Sequence, residues 1–212
     1  MLHRPISEAL FEQLCSSRNV RCEPIPTGRG RTPDFAIHIG SIRVVVEIKQ
    51  IDPNREDLEK MEALGSGEAI GRYVPNRFRT KLKNVSQQLT AAARSGTPTL
   101  LVVYDNTPFK MYSSHSDVVQ ALLGHQSVTV RFPTERGAKP TVSDPFFGGN
   151  RGLTSHQNTS VSAVAVLDGG PSAAPSLRAY HNPYATVVLR PELLENLGAV
   201  QPLLPGATTV AL

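Results

Sequence analysis

The sequence predicts an α/β (α+β) fold, and three observations carry that prediction. Two β-branched runs, Phe35 to Ile39 and Ile42 to Ile48, flank Gly40-Ser41, which is a hairpin signature. Phe78, Leu82, Val85, Leu89 and Ala92 recur at intervals of four and three, as one face of an amphipathic helix does. Thr99 to Tyr104 is a short apolar run bounded by Pro98 and by Asp105-Asn106, hence a buried strand.

In chain order, Pro5-Ile6-Ser7-Glu8 followed by Leu10, Phe11 and Leu14 predicts an amphipathic helix ending near Ser17. A strand over Val20 to Ile25 and a turn-rich stretch through Arg31 lead into the hairpin. Asn54 to Leu64 reads as a short helix and Gly65 to Asn76 as a glycine-bearing loop, before the helix Phe78 to Arg94. Beyond Thr107 the pattern loosens. A helix over His115 to Leu123 and strands over Ser127 to Phe132, Val161 to Leu167 and Thr186 to Leu189 are expected. Between them lie Gly/Pro/Ser-rich connections, including Asp144 to Gly152 and Asp168 to Ser176. The chain of 212 residues is expected to form a single domain, with a core over 1–106 and a β-rich extension of unassigned role over 107–212.

An apolar fraction of 40% and a charged fraction of 19% are those of an ordinary globular protein. The formal net charge of +4 and the pI near 9.3 favour a polyanionic partner over a cationic one. Glu8 and Glu12 interrupt the first fourteen residues, which therefore do not read as a signal peptide, and the longest apolar run is too short to span a bilayer. A cytoplasmic location and no membrane partner are expected. Cys15 and Cys22 are close enough in sequence for a disulfide, but read as two reduced, half-buried thiols. The six histidines show no metal-ligand spacing, and no nucleophile elbow or phosphate loop is present.

The hairpin concentrates the chemistry. A two-residue Gly-first loop fits a type II′ turn and sets Ile39 opposite Ile42. Counting outward pairs Phe35 with Val46, and then Asp34 with Glu47. Because side chains alternate, the odd-numbered residues of the first strand and the even-numbered residues of the second form one apolar face. Asp34, His38, Arg43, Glu47 and Lys49 share the other. Two opposed carboxylates stand about 5 Å apart at such a register and repel, which a divalent cation between them relieves. Mg²⁺ suits carboxylate and water oxygens, with Mn²⁺ as a substitute and the Ile48 carbonyl as a further ligand. Lys49 is near enough to position or activate an attacking water, or to hold a phosphate oxygen. His38 lies roughly 13 Å from Asp34 along the strand and is set aside.

Pro33-Asp34 followed by Glu47-Ile48-Lys49 resembles the motif of the PD-(D/E)XK nuclease superfamily, and the order helix, three strands, helix, strand resembles its restriction-endonuclease-like core. The resemblance covers the first half of the chain. It implies a central mixed β-sheet flanked by helices, and Mg²⁺-dependent hydrolysis of nucleic acid, DNA in the first instance. Asp34 and Glu47 would be the metal ligands and Lys49 the third catalytic residue. It also implies a metal-binding acid from the first helix, either Glu8 or Glu12, with Glu8 preferred, and polar contacts from the helix after the motif. On that helix Arg77, Lys81, Asn84 and Gln88 form one stripe, of which Lys81 and Gln88 are the chosen phosphate or base contacts. Arg29, Arg31, Arg72, Arg77 and Arg79 lie in or beside neighbouring loops as further phosphate contacts. The competing readings are a catalytically inactive nucleic-acid-binding or assembly subunit of the same fold, and an RNA-cleaving toxin. Duplex cutters of this kind often act as two-fold pairs, so a homodimer is a further expectation.

Overall fold

The structure, a computed structural model, describes residues 4–26, 28, 31–67, 76–135, 137–170 and 173–205, without the side chains of 76, 84 and 86. Helix α1 (Ile6–Ser17) buries Leu10, Phe11 and Leu14 along one stripe and is followed by strand β1 (Arg21–Pro24). The hairpin strands β2 (Phe35–Ile39) and β3 (Ile42–Ile51) pair in the expected register, from Phe35 opposite Val46 to Ile39 opposite Ile42. Gly40 carries a φ of 59° and Ser41 none above zero, as a type II′ turn requires.

Helix α2 (Arg55–Gly65) begins at a capping box in which the Asn54 side chain accepts from the Asp57 N–H and Asp57 accepts from the Asn54 N–H. Asn54→Ala is expected to cost about 1 kcal/mol and lower the melting temperature by a few degrees in thermal unfolding. Helix α3 (Asn76–Arg94) leads into β4 (Thr99–Asp105), and α4 (His115–Leu123) runs over the residues expected. Most of the loop expected between Gly65 and Asn76 lies outside the described residues.

The second half differs from expectation in four places, one of them a two-residue strand, Phe146–Phe147, inside the connection expected over Asp144 to Gly152. The strand expected over Ser127 to Phe132 is split: β5 (Gln126–Ser127) and β6 (Val130–Arg131) belong to two separate ribbons, closed by β8 (Phe146–Phe147) and β7 (Thr141–Val142) respectively. The described residues of the stretch Asp168 to Ser176 are not loop: 168–170 end β9 (Ala163–Gly170) and 173–176 begin β10 (Ala173–His181), which pair antiparallel with a bulge between Ala173 and Ser176. Pro175 is accommodated there because β10 is an edge strand, where a missing N–H costs no ladder bond. Thr186 to Leu189 forms no strand. It is an irregular stretch before the short helix α5 (Pro191–Glu195), with Thr186 bonded to the Thr159 carbonyl at 2.8 Å and Leu189 buried.

Six strands form one mixed sheet in the order β1-β2-β3-β4-β9-β10. The hairpin pairings are antiparallel, whereas β3–β4 and β4–β9 are parallel, each joined through crossover helices. The sheet thus takes two of its strands, β9 and β10, from beyond residue 106. The alternation read in the hairpin divides the two layers. Phe35, Ile37, Val44 and Val46 pack with α1 and the α5 region, and Val45 and Ile51 pack with α3 and α4. Cys15 is buried and Cys22 half-buried, both as free thiols. No helix among the described residues is long and apolar enough to cross a membrane.

Candidate active site

The site lies where β2 ends. Continuing the ladder past Phe35–Val46 would set Pro33 against Ile48 in the next hydrogen-bonded pair, and proline has no N–H to give. The ladder stops one pair short of Asp34–Glu47. Asp34 instead sits in a bend and its carboxylate Oδ2 accepts the Ile48 N–H at 2.7 Å, taking over the role of a strand carbonyl. The Ile48 carbonyl points to the same side as its N–H and receives no donor from Pro33. Pro33 is the signal in the sequence that could have revealed this arrangement.

Glu47 and Lys49 stand on the face covered by α3. Glu47 is fully buried, and its Oε1 accepts an ion-paired hydrogen bond from Lys49 Nζ. Its Oε2 is buried without a hydrogen-bond partner among the described residues. Burial pushes the Glu47 carboxyl up to about 7, the nearby Asp34 charge adds to the rise, and Lys49 and Gln88 oppose it. Asp34 is likewise raised by burial, against the pull of the Ile48 N–H and of Lys49, with Glu8 adding a smaller push. Two carboxylates strained in this way, one with an orphaned oxygen, are a site short of positive charge.

A cleft of about 430 Å³ opens beside them, lined by Arg31, Lys49, Lys81 and Gln88. Burial, with the neighbouring charges of Arg77 and Lys49, lowers the Lys81 ammonium. No family model, curated protein or solved structure matches this chain. The reading of the site therefore stands on its own geometry.

Of the expected phosphate contacts, Arg31, Lys81 and Gln88 share the cleft with Lys49. Arg77 does not line it. Its guanidinium is committed to buried Asp57 and the Asp52 carbonyl, and lies 5.1 Å from the Tyr112 ring centroid. Arg79 is also elsewhere: it is buried between α3 and α4, donating to the Gln120 carbonyl at 3.2 Å, and burial lowers its guanidinium. The face of α3 that Arg79 occupies is covered by α4, which the local sequence does not announce. Arg29, Arg72 and the Asn84 side chain lie outside the described residues.

Helix α1 packs on the opposite face of the sheet and meets β3 near the site through the Ser7 N–H bonded to Gln50 Oε1 at 3.0 Å. Glu8, paired with Arg4 at 3.1 Å, is the helix acid whose charge acts on Asp34. Glu12, also paired with Arg4, acts on the Cys15–Cys22 pair instead. His38 pairs with Glu23 at 3.3 Å, toward β1.

Among the described residues no three His, Cys, Asp or Glu side chains stand together as a metal-binding group. A Mg²⁺ site does not require three, since the ion is commonly held by one or two carboxylates and keeps several waters. Glu47 Oε2, which has no partner among the described residues, the Asp34 carboxylate whose charge acts on it and the Ile48 carbonyl would offer such an ion oxygen donors only.

Proposed function

We propose that the chain is a divalent-metal-dependent nuclease of the PD-(D/E)XK type that hydrolyses DNA phosphodiester bonds through Asp34, Glu47 and Lys49. The observation that carries the reading is the buried Glu47 carboxylate, with one oxygen lacking a hydrogen-bond partner among the described residues, beside Asp34 and a lysine that lines a cationic cleft. Asp34, Glu47 and the Ile48 carbonyl would hold Mg²⁺ or Mn²⁺, with Glu8, whose charge acts on Asp34, as the further acid from the first helix. The ion would supply charge neutralisation at the scissile phosphate and lower the pKa of the attacking water.

The chain's own residues supply the rest. Arg31 and Lys81 draw the phosphate backbone into the cleft, where the partial desolvation of Lys81 strengthens its attraction for it. Lys49 stands beside Glu47 with its ammonium fixed, and so can orient the nucleophile or steady the charge that develops on the phosphate. Gln88, an uncharged donor on the same wall, is placed to contact a base or a sugar.

Incubation of supercoiled plasmid and of tRNA, side by side, with Mg²⁺ or Mn²⁺ tests the proposal. Nicking or degradation of the plasmid, abolished by EDTA, is the expected result. Undiminished cutting by both purified Glu47→Ala and Lys49→Ala proteins would overturn it, and cleavage of tRNA alone would transfer the activity to RNA. Lys81→Ala is expected to weaken DNA binding at all sequences alike and to reduce the slope of log affinity against log salt by about 1. An unchanged slope would remove Lys81 from the phosphate path.

A further inference from the structure

Cys15 and Cys22 are nucleophilic side chains that the proposed hydrolysis does not use. The chain brings them together by a local route. Helix α1 ends in a left-handed reversal at Asn19, whose φ is 53°. The Val20 N–H bonds the Cys15 carbonyl at 2.9 Å and the Asn19 N–H bonds the Ser16 carbonyl at 3.1 Å, the paired bonds of a Schellman cap. Such a cap sets Val20, just past the reversal, against Cys15 in the last turn, and both are buried in the same apolar layer.

Strand β1 then runs back along α1. At its far end Pro24 pairs with Phe35, whose ring centroid lies 6.0 Å from that of Phe11, one helical turn before Cys15. Cys22 falls between these two points. Its cross-strand partner is Ile37, which faces α1, and opposed residues of a ladder share a face. Cys22 therefore projects toward α1, as Val20 does two residues earlier. The Cα–Cβ bonds of a helix tilt toward its N-terminus, which carries the Cys15 sulfur back toward Cys22. Cys15 is fully buried and Cys22 half-buried, so the pair opens to solvent at Cys22.

We infer that Cys15 and Cys22 are a redox modification site, a dithiol that closes to a disulfide by exchange with a small-molecule disulfide such as oxidised glutathione. The Cys22 thiolate attacks one sulfur of the small molecule, forms a mixed disulfide and expels one thiolate. Cys15 then loses its proton and attacks the Cys22 sulfur, expelling the second small-molecule thiolate. Two protein thiols are oxidised and one small-molecule disulfide is reduced to two thiols. The electrostatics suit that order. The hydrogen bond from Cys15 lowers the Cys22 thiol against the effect of its burial, with Glu12 and Glu23 opposing the thiolate and Arg4 favouring it. The same bond, with burial, holds Cys15 well above the ordinary thiol range, so Cys15 keeps its proton while Cys22 attacks. The closed form ties β1, an edge strand, to helix α1.

The test uses the full chain, incubated in glutathione buffers from fully reduced to fully oxidised and quenched with acid. Alkylation with N-ethylmaleimide in denaturant and intact mass spectrometry then count free thiols directly, since the chain has 2 cysteines. Two labels are expected in the reduced buffer and none in the oxidised one, at the monomer mass, with both restored by dithiothreitol. The closed form is expected to melt about 5–10 °C above the open one, because the crosslink restricts the unfolded chain. Cys15→Ser is expected to stop at a glutathione adduct on Cys22, and Cys22→Ser to stay unmodified while folded, its remaining thiol being buried. Two labels in every buffer, or a stable glutathione adduct on the wild type, would overturn the inference. So would a closed form that melts no higher than the open one, or Cys22→Ser reacting as fast as the wild type. None of these readouts depends on whether the chain cleaves nucleic acid.

Discussion

Glu47→Gln is expected to abolish cleavage and, in the same protein, to raise the melting temperature of the cation-free chain at pH 8. The two effects share one cause. The Glu47 carboxyl is fully buried and is held up at about 7, chiefly by burial, with the Asp34 charge adding to it. A raised pKa in the folded state means that folding is favoured while the group keeps its proton. Stability is therefore greatest below the unfolded value of 4.5 and is lost as pH rises from there through about 7. At pH 8 the buried charge costs up to roughly 3 kcal/mol, equivalent to roughly 6–12 °C for a chain of this size. Glutamine carries no charge and escapes that cost, while Lys49, partly exposed, can turn its ammonium to solvent.

The same substitution removes the anionic oxygen that the proposed ion needs, and the rate of cleavage is expected to fall on the order of a thousandfold or more. Calorimetry with EDTA at pH 4 and pH 8, then with Mn²⁺ at pH 8, separates the contributions. At pH 4 the wild type and Glu47→Gln should melt together. At pH 8 the variant should melt higher, and Mn²⁺ should raise only the wild type. Equal melting at both pH values would show that Glu47 does not sit as a buried charge, and full activity in Glu47→Gln would remove it from the chemistry.

The second large effect lies outside the site. Asp57→Ala is expected to destabilise the protein by about 3–5 kcal/mol, because Asp57 anchors a buried polar knot. Its Oδ1 accepts the Tyr112 hydroxyl, and its Oδ2 accepts the Arg77 guanidinium and the Asn54 N–H, the last at 2.9 Å. Desolvation and the Asp57 charge together push the Tyr112 phenol well above its ordinary range. Removing the carboxylate takes an acceptor from a buried hydroxyl and from a partly buried cation at once. Equilibrium urea unfolding should show a lower midpoint with an unchanged slope. Asp57→Asn, which keeps an acceptor but not the charge, should fall between the two. A loss below 1 kcal/mol for Asp57→Ala would mean that the knot is not under the strain its burial implies.

Much of the first half was legible because its signals are local. Hairpin register follows from a two-residue loop and a period of two, and the ladder from Ile39–Ile42 to Phe35–Val46 is as counted. The helical stripe of Phe78, Leu82, Val85 and Leu89 is buried because 3.6-residue periodicity has one reading at that length. The capping asparagine before α2 is a local signal too. The errors have the opposite character. The β9–β10 hairpin hides behind Gly169, Gly170 and Pro175, residues that punctuate loops in the absence of a partner. β9 finds its partner in β4, some sixty residues away, and no local pattern reports such a parallel pairing.

The same division runs through the candidate site. The sequence by itself determined that Asp34, Glu47 and Lys49 lie at one end of one hairpin, with Glu47 and Lys49 on its polar side, because alternation and turn length allow no other arrangement. It also placed Lys81 and Gln88 on a common stripe of α3. Only the tertiary structure decided what each of those groups experiences. Packing of α3 over β3 buried Glu47 and left its Oε2 without a partner among the described residues, the end of β2 at Pro33 turned Asp34 onto the Ile48 N–H, α2 claimed Arg77 from the stripe, and α4 covered Arg79. Periodicity fixes direction from a single element, whereas burial, ion pairing and charge are properties of what that element is packed against.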